Sequence, residues 1–162
     1  MEIRVATADD WPSIHPFFTA IVEAGETYAY PEHMSRDEGR AYWMTPPPGQ
    51  TVVAVLDGEV VGSATMGPNR PGRGAHIATA SFMVDPAHSG RGVGRALGAH
   101  VIAWARQAGY RGMQFNAVVE TNIAAVRLWE ALGFQILTTV PGAFNHRVHG
   151  YVGLHVMYQA LA

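Results

Sequence analysis

No cysteine occurs anywhere in this chain. Disulfides, thiolate nucleophiles and cysteine-ligated zinc are thereby excluded, and a reducing cytoplasmic compartment is the expected setting. Charge is scarce as well: 15% of the 162 residues are charged, and the formal net charge is -2. A general nucleic-acid binder carries a broad basic face, so no nucleic-acid partner is expected, although a few arginines suffice for a small phosphorylated ligand. No apolar run approaches the length of a membrane-spanning helix, and no membrane partner is expected. Residues 1–10 alternate instead of forming an apolar block, which does not fit a secretory leader. Internal repeats, low-complexity tracts and interdomain linkers are also missing, so a single domain over residues 1–162 is expected. Hydrophobic residues make up 48% of the chain, enough to fill a sizeable core at this length.

What is present is a passage around which the rest can be organised: Val84-Asp85-Pro86-Ala87-His88-Ser89-Gly90-Arg91-Gly92-Val93-Gly94-Arg95-Ala96-Leu97. It leads from an apolar strand through a glycine and arginine loop straight into a helix. Glycines at every second position let the backbone turn tightly and approach a ligand closely, and the first amides of the helix present their positive end to an anion. Arg91 and Arg95 add full charges. A glycine-rich strand-to-helix turn with no ligand has the same local pattern. A P-loop is excluded because no Gly-Lys-Ser/Thr tripeptide follows, and a dinucleotide-binding fingerprint starting at Gly92 fails because its sixth position is Leu97.

Hydrophobic periodicity supplies the frame. Met1 to Thr7 alternates as a half-buried strand. Thr7 to Asp10 caps a helix that carries Trp11, Ile14, Phe18, Ile21 and Val22 to Gly25, with Pro12 in its first turn and Pro16 disturbing it. A polar and aromatic segment, Glu26 to Pro31, precedes a second helix opened by Ser35 and Glu38 at capping-box spacing and stopped before Pro46-Pro47-Pro48-Gly49. Thr51 to Leu56 and Glu59 to Met66 flank Asp57-Gly58 as a β-hairpin. Pro68 to Gly74 reads as an exposed loop whose arginines, Arg70 and Arg73, are solvated. Ala75 to Val84 is a strand buried on both faces. The helix after the glycine loop bears a stripe of Val93, Leu97, Val101, Trp104 and Ala108 and ends at Gly109. Arg111 to Val119 is a strand, Asn122 caps a helix closed by Gly133, and Phe134 to Val140 and Tyr151 to Tyr158 are the last two strands. The spacing therefore predicts a mixed sheet of about seven strands with about four helices on both of its faces, an α+β architecture.

Two passages together carry a family resemblance. Ser89-Gly90-Arg91-Gly92-Val93-Gly94, preceded by Val84-Asp85-Pro86, resembles the pyrophosphate loop Gln/Arg-x-x-Gly-x-Gly/Ala of the GNAT superfamily of acyl-CoA-dependent N-acetyltransferases, with Ser89 in place of Gln or Arg. Asn122-Ile123-Ala124-Ala125-Val126-Arg127-Leu128-Trp129-Glu130-Ala131-Leu132-Gly133-Phe134 resembles the family's Asn-x-x-Ala-x-x-Leu-Tyr-x-x-x-Gly-Phe helix, with Trp129 in place of the tyrosine. Length and element order agree over essentially the whole chain.

The resemblance implies acetyl-CoA as co-substrate and transfer of its acetyl group to a primary amine of a small metabolite or amino-acid-like compound. Protein N-termini or lysines are the rival acceptors, and a non-catalytic sensor of CoA or acyl-CoA is the reading of another class. The backbone of Phe82, Met83 and Val84 is expected to pair with the pantetheine arm, and an amide near Val84 to polarise the thioester carbonyl. The amides from Ser89 and Gly90 through Arg91, Gly92, Val93 and Gly94 to Arg95 are expected to hold the pyrophosphate, with Asn122, Ala125 and Trp129 touching the cofactor from the last helix. Relatives protonate the leaving thiolate with the tyrosine that Trp129 replaces and often place a glutamate on the central strand, where Ile77 to Val84 has none. The substitute catalytic candidates are Glu26, Asn116 and Tyr151. Glu26, Tyr28, Tyr30 and Asn116 are the candidate substrate contacts, and the loop from Pro141 to Gly150 is expected to form one rim of the acceptor site. His146 and His149 lack a nearby cysteine or paired acid, so no metal is expected. The pairing of two final apolar strands suggests a homodimer.

Overall fold

In the computed structural model, which describes residues 1–162, the chain runs β1 (Glu2–Val5), α1 (Trp11–Ala24), α2 (Arg36–Trp43), β2 (Gln50–Leu56), β3 (Glu59–Pro68), β4 (Ile77–Val84), α3 (Val93–Gln107), β5 (Gly112–Val119), α4 (Ile123–Ala131), β6 (Gln135–His146) and β7 (Gly150–Ala160). The strands form one seven-stranded sheet in the order β1-β2-β3-β4-β5-β7-β6. Neighbours are antiparallel except β4 and β5, which are parallel. The architecture is the mixed α+β sheet that the periodicity implies.

Local chemistry sets the boundaries. The α1 entrance is a 3-10 turn at Ala8–Asp10, where Asp10 accepts the Thr7 N–H at 2.7 Å; Gly25, at φ 66°, ends the helix in the left-handed region. Ser35 and Glu38 cap each other's backbone amides at the start of α2, at 3.1 and 2.7 Å. Asp57 and Gly58 both take positive φ, 51° and 83°, as a tight hairpin turn requires.

The sheet separates two cores. One, under α3 and α4, gathers Ala64, Leu97, Val101, Met113, Phe115 and Met157; the other, under α1 and α2, gathers Trp11, Ile14, Phe18, Trp43, Val53 and Met83. Each such large side chain contributes about 1.5–3 kcal/mol by leaving water. Trp43 is wholly buried, and its indole N–H donates to Ser63 Oγ at 2.8 Å, which donates in turn to the Val52 carbonyl at 2.7 Å.

Several boundaries differ from the periodicity. β4 begins at Ile77, after a 3-10 turn at Gly72–Gly74, and most of its residues are half-buried because one strand edge opens onto a cleft. On α3, Ile102 and Ala105 are buried while Ala108 is the exposed C-cap, since steps of four residues advance the stripe by about 40° each around the helix. The expected loop from Pro141 to Gly150 is mostly strand: β6 continues to His146, and only Arg147–His149 turn. A register break between Val140 and Phe144 absorbs Pro141 and Gly142, which a sheet-edge strand tolerates because its outer N–H groups have no partner to lose. Tyr151 consequently lies at the hairpin end and is 78% exposed.

Candidate active site

β4 and β5 pair only at Ile77 with Gly112 and at Ala78 with Met113. Beyond these residues they diverge, and the opening is a cleft of about 730 Å³. Its apolar floor is aromatic: Trp129 packs tilted on Phe82 and edge-on to Phe115, with ring centres 4.5 and 4.9 Å apart, and Phe115 stacks on Phe134 at 4.2 Å. Trp129 is 6% exposed. It walls the cleft and brings no hydroxyl to it.

The glycine loop closes one end. Asp85 accepts the Ala87 N–H at 3.0 Å and starts a short 3-10 turn, after which Gly90 and Gly92 adopt φ of 75° and 78°. A Cβ built at either glycine would meet nothing within 4 Å, so the backbone there is bare toward solvent. Gly92 is the N-cap of α3, and the first helical hydrogen bond runs from Ala96 N–H to the Gly92 carbonyl. The amides before Ala96 have no partner within the helix and point outward with its positive end. Such a cradle fits a pyrophosphate.

Along β4, pairing with β3 fixes which backbone groups face the cleft. The Asp85 N–H donates to Val61 of β3 at 2.9 Å, and Met83 stands opposite Ser63. Alternation along the strand turns the Met83 N–H and carbonyl toward β3 and leaves Ala80, Phe82 and Val84 facing the opening. Phe82 is engaged. Its N–H donates to the Tyr28 hydroxyl at 2.8 Å, and that hydroxyl donates to the Phe82 carbonyl at 2.5 Å.

Tyr28 belongs to the segment between α1 and α2, pinned at both ends. The Arg147 N–H donates to the Gly25 carbonyl at 2.9 Å, the Arg147 guanidinium donates to the Ala24 carbonyl at 3.3 Å, and the same guanidinium pairs with Glu32. Rings pack at a tilt inside this frame, with Tyr30 5.1 Å from Tyr28 and 5.1 Å from Tyr42. Burial pushes the Tyr28 and Tyr30 phenols above their ordinary pKa, so both stay protonated at neutral pH.

A second cavity, of about 640 Å³, adjoins the first and shares Thr79, Ala80 and Ser81 with it. It is walled by Pro46-Pro47-Pro48-Gly49, by the end of β3 and by the loop through Asn69 and Arg70. Gln114 donates to Asn116 at 3.0 Å and Asn116 to Asn69 at 2.7 Å, a relay of three amides across the gap between β5 and the β3–β4 loop. Arg70 is the one fully charged side chain lining either cavity, and no carboxylate lines either.

The sequence-expected residues divide accordingly. Phe82, Met83, Val84, Ser89, Gly90, Gly92, Val93, Gly94, Asn122, Ala125 and Trp129 line the cleft, as do Tyr28, Tyr30 and Asn116. Asn122 also caps α4, accepting the Ala125 N–H at 3.4 Å. Arg91 and Arg95 are exposed beside the loop rather than in the lining. Glu26 is exposed just past the Gly25 helix stop, and Tyr151 lies on the hairpin; neither reaches a cavity, so the three catalytic candidates do not converge. His146 is 5% exposed, and its Nδ1 accepts the N–H groups of Val148 and His149 at 3.1 Å each, which makes it the cap of the hairpin turn. Asn69 and Arg70 line the second cavity; Arg70 is exposed there, as its turn composition implies, and its guanidinium donates to the Asn69 carbonyl at 3.1 Å.

Comparison with known proteins agrees with this geometry. The model of the acetyltransferase (GNAT) family matches residues 11–134. A GCN5-related N-acetyltransferase from Kribbella flavida is 58% identical, with a TM-score of 0.96 over 98% of this chain and 96% of that one. The structure of yncA from Salmonella typhimurium with its cofactor acetyl-CoA superposes with a TM-score of 0.85 at 26% identity, covering 100% of this chain and 94% of that one. N-acetyltransferase aca1 of Schizosaccharomyces pombe is 30% identical over 86% of this chain and 75% of its own length. L-methionine sulfoximine/L-methionine sulfone acetyltransferase of Salmonella typhimurium is 33% identical over 56% of this chain and 53% of its own length.

Proposed function

The chain belongs to the acetyltransferase (GNAT) family and is an acyltransferase that uses acetyl-CoA as co-substrate, and from that premise we propose that its acceptor is the primary amine of a small, carboxylate-bearing, amino-acid-like compound. One observation carries this reading. The glycine-cradled cleft and the second cavity meet on Thr79-Ala80-Ser81, so a donor held in one and an amine held in the other face each other across β4.

Acetyl-CoA supplies an acetyl group activated as a thioester. The amides from Gly90 to the first turn of α3 are the residues to hold its pyrophosphate, and the cleft-facing edge of β4 is the place for its arm. Phe82, Phe115 and Trp129 keep water from that edge. On the acceptor side the charge balance is one-sided: Arg70 offers a cation, Asn69, which accepts from Asn116 at the edge of the donor cleft, offers a neutral amide, and no carboxylate offers to pair an ammonium. An acceptor bearing a carboxylate suits this lining, and a polyamine does not. The amine attacks the acyl carbon as its free base, the C–S bond breaks to release CoA as its thiolate, and the amine's proton is lost to solvent, from which the thiolate can take one, because Thr79, Ala80 and Ser81 at the junction include no neutral-pH acid or base.

The similarity to a methionine sulfoximine acetyltransferase supports the same acceptor class. The test is a panel of amines incubated with acetyl-CoA while free thiol is followed. Amino-acid-like amines are expected to turn over and their methyl esters to do so poorly; preference for polyamines or basic peptides would overturn the acceptor class. The absence of cysteine supports a cytoplasmic location for a single-domain enzyme, which fractionation of the native host would check. A homodimer through the outer strand is supported by its exposed apolar residues, Leu137 and Val140 at 57% and 48% and Val148 at 69% in the adjoining turn; sedimentation as a monomer at micromolar concentration would refute it.

A further inference from the structure

We propose that the Tyr28 hydroxyl is a catalytic hydrogen-bond donor of the donor site, holding the Phe82 N–H while the site is empty and, with acetyl-CoA bound, donating beside that N–H to the acyl carbonyl oxygen. This rests on the acetyl-transfer reading above. The observation is the double bond to one residue. Where β5 peels away, a strand edge is left without its partner, and the Tyr28 phenol, reaching over from the α1–α2 face, satisfies both the N–H and the C=O of Phe82. One oxygen therefore substitutes for a missing strand at the middle of the three cleft-facing positions.

The arrangement is built, not incidental. The ring is wedged between Tyr30 and Trp43, with centres 5.1 and 6.4 Å away, and Trp43 is itself locked by Ser63. The segment carrying it is tied down by Arg147. A phenol so placed has little freedom to leave, yet the site it occupies is the backbone pair that a donor arm lying along β4 must use. The resolution is exchange: the Phe82 N–H passes to the incoming carbonyl oxygen, and the phenol, still protonated, redirects its O–H from the Phe82 carbonyl to that same oxygen. Two preorganised donors then face the oxygen on which negative charge develops when the amine adds. The last helix presents an indole wall at Trp129, so this hydroxyl enters from the opposite face of the sheet.

Tyr28→Phe removes the hydroxyl and keeps the ring. The expected result is a split. CoA binds the variant at least as tightly as the wild type, because nothing has to be displaced, while kcat for acetyl transfer falls by about 100-fold, the size of effect seen when one oxyanion donor is removed. Amide exchange gives a readout without turnover: the Phe82 N–H is protected in the free wild type and exchanges fast in the free variant. A purely architectural tyrosine would instead weaken CoA binding and lower kcat in step with a fall in Tm. That outcome, or a kcat within about threefold of wild type, would overturn the proposal. Should the wild type bind CoA but release no thiol with any amine, the acetyl-transfer reading fails, while Phe82 exchange and CoA affinity still decide whether Tyr28 occupies the donor's place.

Discussion

The two cavities are similar in size, about 730 and 640 Å³, and they meet on the same three residues of β4, but they are made of different material. The donor cleft is largely backbone: glycine amides, a helix N-terminus and an unpaired strand edge over an aromatic floor. The proposed acceptor cavity is side chains: proline rings, threonine hydroxyls, the Asn69 amide and one guanidinium. Backbone recognition needs only that glycine occupy the turning positions. Side-chain recognition needs particular residues brought from β3, β4 and two loops. The first kind survives in a short linear motif; the second exists only once the chain has folded.

The largest expected effect breaks the backbone side. Gly92 sits at φ 78° with open space where a Cβ would go, so Gly92→Val introduces no collision but forces a branched residue into the left-handed region. The loop must rearrange and misalign its amides. CoA affinity measured by calorimetry is expected to fall by about 100-fold or more, an effect of roughly 2.7 kcal/mol, with the fold retained by circular dichroism.

Next comes the side-chain counterpart. Arg70→Gln removes the only cation of the acceptor cavity, and KM for a carboxylate-bearing amine should rise about 10- to 100-fold, the value of a charge-assisted hydrogen bond. CoA affinity should be unchanged. If both constants moved together, the two cavities would not be the separate devices described here.

A smaller effect falls on what both cavities lean against. Ser63→Ala leaves the buried Trp43 indole N–H without its acceptor and is expected to cost about 1–3 kcal/mol in denaturant unfolding. Trp43 backs Tyr28, so the donor cleft should loosen more than the acceptor cavity.

The smallest effect lies away from both cavities and serves as the control. Asp10 is 7% exposed and accepts both Arg4 N–H groups at 2.8 Å; chiefly that contact, aided by the Thr7 amide, lowers its pKa from 3.8 to about 2. Its ionised form is favoured by folding. The stabilisation is therefore complete above pH values near 3.8 and is lost as pH falls through about 2. Because Arg4 is 40% exposed, solvent screening keeps this contribution small. Asp10→Asn should flatten that part of the acid-unfolding curve without altering affinity for either substrate.

The same division explains what could be read from the linear chain. Element order, the Asp57-Gly58 hairpin, the Ser35/Glu38 cap and the glycine loop are local, and each sits in the fold as its residues imply. The glycine loop and the Asn122 helix both reach the cleft because a helix N-terminus and its cap are fixed by neighbours a few residues away. The long-range contacts were not legible. Tyr28 meets Phe82 in the donor cleft across 54 positions of sequence and Asn116 meets Asn69 between the two cavities across 47, and no spacing rule encodes such encounters. Glu26 and Tyr151 have the right chemistry for catalysis but are carried away from it, one by the αL stop at Gly25 and the other by a β6 that runs on past Pro141.

One topological detail bears on how the molecule is made. β7 is the last strand in sequence yet lies between β5 and β6, and Gly112 at the root of the opening pairs with Ile77 on one side and Ala160 on the other. During synthesis β6 leaves the ribosome before the strand that attaches it to the sheet. Until residues 150–160 emerge, the far wall of the cleft has a bare edge and β6 is tethered only through the chain. The far wall of the cleft is therefore closed into the sheet only by the last strand, after every other strand of the sheet has been made.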